Sequence, residues 1–147
     1  MQTADREIVS ARLFRAPPER LFDACVDAGS LAQWWGPRGF TNTILELDPR
    51  PGGRWRSIMH APDGTDFQIV REFVEVAPPR RLVVRHMQDA HSFTTIMTFD
   101  ERKGATLLTW RMLFDLASEA ARVKSIISAA NEENFDRLQA HLAAGQS

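Results

Sequence analysis

The sequence predicts an α+β domain in which one long C-terminal helix lies across a curved antiparallel sheet of six or seven strands. Three observations carry this expectation. Apolar residues alternate with period two through six segments between Thr41 and Phe114. Those segments are separated by turn signals and not by helices, which favours an antiparallel meander. A helical apolar stripe then occupies the end of the chain.

Taken in order, Ile8–Phe14 alternates as a strand and Ala16-Pro17-Pro18 stops it. Proline suits the first turn of a helix, where its missing N–H would have no partner, and Leu21, Phe22, Cys25 and Val26 follow at helical spacing. A second short helix is expected next, capped by Ser30 and ended by Gly36-Pro37 after Trp34-Trp35. Candidate strands are Thr41–Leu47, Arg54–His60, Asp66–Val76, Arg81–Met87, Ser92–Asp100 and Thr106–Phe114. Pro49-Arg50-Pro51-Gly52-Gly53, Pro62-Asp63-Gly64, Pro78-Pro79 and Lys103-Gly104 are the turns between them. Ser118 is the expected cap of a last helix running to Leu142, about 37 Å long and able to cross a small sheet. At 100° per residue Val123, Ile127, Leu138 and Leu142 form its stripe, flanked by Ile126, Ala130 and Phe135. The whole reads as one helix-grip domain over residues 1–147, with its core at about 8–142.

The bulk properties narrow the function. With 147 residues the chain fits one domain and can bury roughly 68–70% of its unfolded surface without disulfides or a metal. Eighteen basic and nineteen acidic residues leave a net charge of −1 with no long block of either sign, so neither nucleic acid nor an anionic membrane is an expected partner. Cys25 is the only cysteine and sits in a helical apolar pattern, as a small buried hydrophobe would. Met1–Glu7 is polar, and no apolar run reaches 18 residues, so a cytoplasmic location is expected.

Several motifs carry a family resemblance. Ala16-Pro17-Pro18-Glu19-Arg20-Leu21-Phe22 and Leu31-Ala32-Gln33-Trp34-Trp35-Gly36-Pro37 are followed by Pro51-Gly52-Gly53-Arg54-Trp55, Pro62-Asp63-Gly64, Pro78-Pro79-Arg80-Arg81-Leu82 and Phe135-Asp136-Arg137-Leu138. In that order they resemble small bacterial proteins related to the activator of the heat-shock chaperone ATPase, within the START-like (SRPBCC, birch-pollen-allergen-like) superfamily. The resemblance implies the helix-grip fold over nearly the whole chain. It implies function only broadly, since this superfamily puts one architecture to lipid and hormone carriage, polyketide cyclisation and chaperone co-activation. Relatives usually carry Gly-Trp where this chain has Ala130-Asn131. Loss of that sheet-facing tryptophan should enlarge the pocket or make it more polar.

The candidate ligand-binding residues are those the pattern turns toward a hollow between helix and sheet. They are Trp55, Ser57 and Met59 on one strand, Phe67, Ile69 and Phe73 on the next, Thr95 and Met97, then Trp110 and Met112, with Ile127 on the helix. Phe93 and Phe99, and Leu108 and Phe114, share these faces. A bulge in the long Asp66–Val76 segment would shift its phase. Such residues are also what an ordinary core contains; a cavity is favoured where a long helix rests on the rims of a curved sheet. Trp34, Trp35 and Phe40 lie where the pocket mouth is expected, one tryptophan in the core and the other gating access.

Asn131 and Asn134 break the apolar stripe, about 60° apart on the wheel. Each buried amide needs a partner, either internal or on a ligand's carbonyl or hydroxyl. His60, His86, His91 and His141 show no zinc spacing, and no nucleophile, P-loop or dinucleotide motif is present, so neither metal, cofactor nor catalytic residue is expected. His86, Glu72 or Glu75 would be an acid or base only if turned inward, whereas alternation turns the two glutamates to solvent.

The expected function is binding of a hydrophobic or amphipathic small molecule by a monomer or homodimer. The resemblance implies two alternatives: a heat-shock chaperone partner with a place in the stress response, and a polyketide cyclase-like enzyme.

Overall fold

The computed structural model describes residues 4–87 and 92–145. A 3-10 turn (Ala4–Arg6) leads into β1 (Glu7–Phe14), then α1 (Pro18–Val26) and α2 (Ala28–Trp34). Strands β2 (Thr41–Leu47), β3 (Arg54–His60), β4 (Asp66–Ala77), β5 (Arg81–His86), β6 (Phe93–Arg102) and β7 (Ala105–Phe114) follow, and α3 (Ala117–Ala144) ends the chain. Among the described residues the seven strands form one antiparallel sheet in the order β1-β7-β6-β5-β4-β3-β2. Consecutive strands from β2 to β7 are neighbours in the sheet, and β1 docks on β7 at the far edge.

Two of the expected caps differ. Asp27 starts α2, its carboxylate accepting from the Ser30 amide at 2.9 Å, so Ser30 is the third residue of that cap and not its origin. Leu116 precedes α3 without a side-chain cap, and Ser118 lies inside the helix. On α3, Phe135, Leu138 and Leu142 are buried and Val123 and Ile127 half-buried, but Ile126 is 69% exposed. Ile126 is thus on the side of the stripe that meets water, while Ile127 beside it turns inward.

Two clusters of buried apolar side chains hold helix and sheet together among the described residues. The larger gathers Phe14, Leu21, Trp34, Trp55, Phe73, Leu108, Trp110, Phe135 and Leu138 under α1, α2 and the second half of α3. A smaller one joins Ile8, Met112, Phe114 and Ala120, with Phe93, Val123 and Ile127 against it, under the first half of α3. Polar ties fix the helix at its flanks. Arg12 on β1 bonds Asp136 at 2.8 Å and Glu132 at 2.9 Å. On the opposite flank Arg137 donates to the carbonyls of Gln33, Trp35, Gly36 and Pro37 at 2.9–3.1 Å. Gln33 is in the last turn of α2 and the other three carbonyls lie in the loop just after it, so Arg137 ties the end of α2 and that loop to α3.

The bulge in β4 falls between Phe73 and Glu75. Val74 is pushed out to 50% exposure, while the odd-numbered residues as far as Phe73 keep their common face.

Candidate functional site

A cavity of about 220 Å³ remains between α3 and the concave face of the sheet. Its walls come from both apolar clusters: Trp35, Trp55, Val84, Met97 and Trp110 from the larger, Phe93, Met112 and Ile127 from the smaller. It is the gap they leave between them. Met59, Arg71, His86 and Thr95 complete the sheet side, Pro37 the rim, and Ala130, Asn131 and Asn134 the roof.

Of the sixteen residues expected here, Trp35, Trp55, Met59, Thr95, Met97, Trp110, Met112, Ile127, Asn131 and Asn134 line the cavity. Six are placed elsewhere. Trp34 is fully buried in the core, its indole donating to the Ala24 carbonyl at 2.9 Å. Phe73 is also fully buried, stacked on Trp55 at 6.4 Å, and Ser57 is buried beside Arg71; neither is in the lining. Phe67 and Ile69, near the start of β4, are not in the lining, and Phe67 is 46% exposed. Phe40 pairs with Phe67 at 6.5 Å beside the β3–β4 hairpin, outside the cavity.

The two adjacent tryptophans therefore divide as a helix end requires. Trp34 is the last residue of α2, and Trp35 leaves it in an extended conformation. The Trp35 ring packs 4.7 Å from Trp55 and 5.4 Å from Trp110. Gly36 then turns with φ +101°, and a side chain there would begin 2.9 Å from Met59 Cε.

Pairing across the sheet sets Trp55, Arg71, His86 and Phe93 in one row, each opposite the next. His86 stacks on Phe93 with centroids 4.4 Å apart. Of the titratable residues weighed for an inward role, His86 reaches the cavity; Glu75 instead pairs with Arg81 at 3.1 Å, and Glu72 is not in the lining. His91 lies outside the described residues.

Arg71 is the residue sequence reasoning missed. It has the parity of Phe67, Ile69 and Phe73, so alternation alone would have turned it inward; its charge argued for solvent. Its guanidinium is buried with its carbon 4.2 Å from the Trp55 ring and 5.3 Å from the Trp35 ring. Ser57 Oγ accepts from it at 3.4 Å and Met59 Sδ at 3.7 Å, both long contacts. No carboxylate among the described residues pairs with it. Burial pushes its pKa down to about 9, which still leaves it cationic at neutral pH. Pro37 and Val84 were missed as well, the first because rim loops show no periodicity.

The two asparagines differ. Asn131 Nδ2 donates to Ser10 Oγ on β1 at 3.1 Å, with Met112 Sδ at 3.5 Å. Asn134 Oδ1 is buried without a partner, as are the indole N–H groups of Trp55 and Trp110. The site is thus an apolar hollow with a buried cation that no carboxylate among the described residues pairs with, and three of its lining residues, Trp55, Trp110 and Asn134, each keep one buried polar atom without a partner.

A model of the family described as activator of Hsp90 ATPase homolog 1-like protein matches residues 15–143. The chain belongs to this family. Its START-like helix-grip fold is shared by solved bacterial structures. A Nitrosomonas europaea protein superposes with a TM-score of 0.89 at 16% identity, covering 99% of both chains. One from Chromobacterium violaceum gives 0.80 at 26% identity, over 92% of this chain and 95% of that one. An AHSA1 protein of Silicibacter pomeroyi gives 0.75 at 23%, over 95% and 99%. No curated protein matches the chain. Among the described residues, no helix is long and apolar enough to cross a membrane.

Proposed function

We propose that the protein binds a small hydrophobic or amphipathic molecule between α3 and the sheet. The observation that carries this reading is the cavity, with apolar walls and a few buried polar groups lacking partners. Solid packing is the rule in protein interiors, and binding sites are the usual exception. An apolar cavity of about 150 Å³ holds benzene, so 220 Å³ suits a one- or two-ring compound or a short chain. A fluorescent titration with 2-naphthol tests this: saturation near one per chain is expected. Ala130→Phe, which builds a ring into the roof, should abolish it without unfolding the domain. Absence of binding to the wild type, or undiminished binding to Ala130→Phe, overturns the reading.

The family description favours a second reading, in which the chain stimulates a heat-shock chaperone ATPase through its surface. It predicts stimulation that survives Ala130→Phe, and an ATPase assay with purified chaperone decides it.

A further inference from the structure

We propose that the molecule taken by this cavity is a small amphipathic carboxylic acid, its carboxylate against the Arg71 guanidinium and its apolar body along Met97, Trp110 and Met112. The inference rests on the ligand-binding reading and adds the chemistry of the ligand.

The cavity holds more donors than acceptors. Arginine carries five N–H donors in a planar fork and no acceptor. Here two long contacts, to Ser57 Oγ and Met59 Sδ, are its hydrogen bonds among the described residues. Stacking on Trp55 and Trp35 occupies the faces of the guanidinium and leaves edge N–H groups without partners. The indole N–H groups of Trp55 and Trp110, both wall residues, are buried and unpaired as well. A buried cation with no anion is costly, and buried donors without acceptors add to the cost. An oxyanion removes the first of these costs: a carboxylate has two oxygens and about four lone-pair sites, and matches the guanidinium fork bidentately. A neutral apolar molecule would leave the guanidinium without a counter-charge.

The row in which Arg71 stands places the charge. Trp55 on one side and His86 on the other are its cross-strand neighbours, so the anion is held at the sheet wall below the Trp35–Gly36–Pro37 rim. Beyond it the wall is apolar through Met97 and Met112 to Ile127. Charge at one end and hydrocarbon at the other describe an amphipathic acid. The volume confines that acid to a short chain or to one or two rings.

Calorimetric titration of the full chain at neutral pH, with matched acid and amide, tests the proposal. The pairs are 2-naphthoate with 2-naphthamide, and octanoate with octanamide. At least one acid should bind near one per chain and at least about tenfold more tightly than its amide, the range of a charge-assisted hydrogen-bonded pair. Arg71→Met should bring the acid down to its amide while the amide's own affinity stays. Equal binding of acid and amide by the wild type overturns the proposal and leaves the binding reading standing. So does an acid preference that persists in Arg71→Met, which would put the anion elsewhere. Failure of all four compounds together with 2-naphthol overturns both. Should Arg71→Met not fold, the wild-type pairs still decide.

Discussion

Arg137 donates to the Trp35 carbonyl at 3.1 Å, so the last helix holds the loop that carries the cavity's rim tryptophan. The same guanidinium binds three further carbonyls from Gln33 to Pro37, and burial lowers its pKa from the ordinary value. Arg137→Met removes this donor from all four; the Trp35 carbonyl keeps Asn42 Nδ2 at 2.7 Å and the Pro37 carbonyl keeps the Phe40 amide at 3.1 Å. A loss of about 1–3 kcal/mol on chemical denaturation is expected, with weaker ligand binding as Trp35 loosens.

Leu138, one residue further, is fully buried in the larger cluster. Leu138→Ala should destabilise by about 2–5 kcal/mol, since the rigid surroundings cannot collapse onto the lost methylenes. Urea titration with an unchanged slope is the check.

The two asparagines should respond in opposite ways. Asn131→Leu strands Ser10 Oγ, buried beneath the helix, and should cost about 1–3 kcal/mol. Part of that loss should return in Ser10→Ala/Asn131→Leu, where neither partner is left alone. Asn134→Leu removes an oxygen that already lacks a partner, so the empty protein should be as stable or more stable. Thermal melts of the three variants separate these outcomes.

Arg71 should make the empty protein less stable than it need be. Its folded pKa lies below the ordinary arginine value, so the unfolded chain binds the proton more tightly. Stability then rises as pH climbs above about 9, and below that the cost of the buried charge is present in full. Arg71→Met should therefore raise Tm at neutral pH. A lower Tm would mean that the two stacked tryptophans more than offset the desolvation.

Cys25 is buried, and burial pushes its thiol up to about 12. Thiol reagents at mildly alkaline pH should leave the native protein unlabelled and label it completely in denaturant. Rapid native labelling would show α1 to open readily.

The architecture was legible in the sequence because period and punctuation are local properties. Thr41–Leu47 and Arg54–His60 were expected with the bounds the structure shows, and the remaining strands agree within two residues. The apolar face from Leu108 to Phe114 followed from alternation alone. Three things depended on packing between distant segments. Phe67 and Ile69 have the inward parity, yet only tertiary structure decides that the cavity takes Arg71 from β4 and not them. Arg71 shares that parity, but its burial depends on Trp35 and Trp55 from other elements stacking on it. The cavity has no signature along the chain, because it is the space two clusters leave unfilled where one helix spans a curved sheet. Periodicity determines which side of a strand faces inward; whether that inward side meets another side chain or empty space is decided by three-dimensional packing, to which no single segment holds the information.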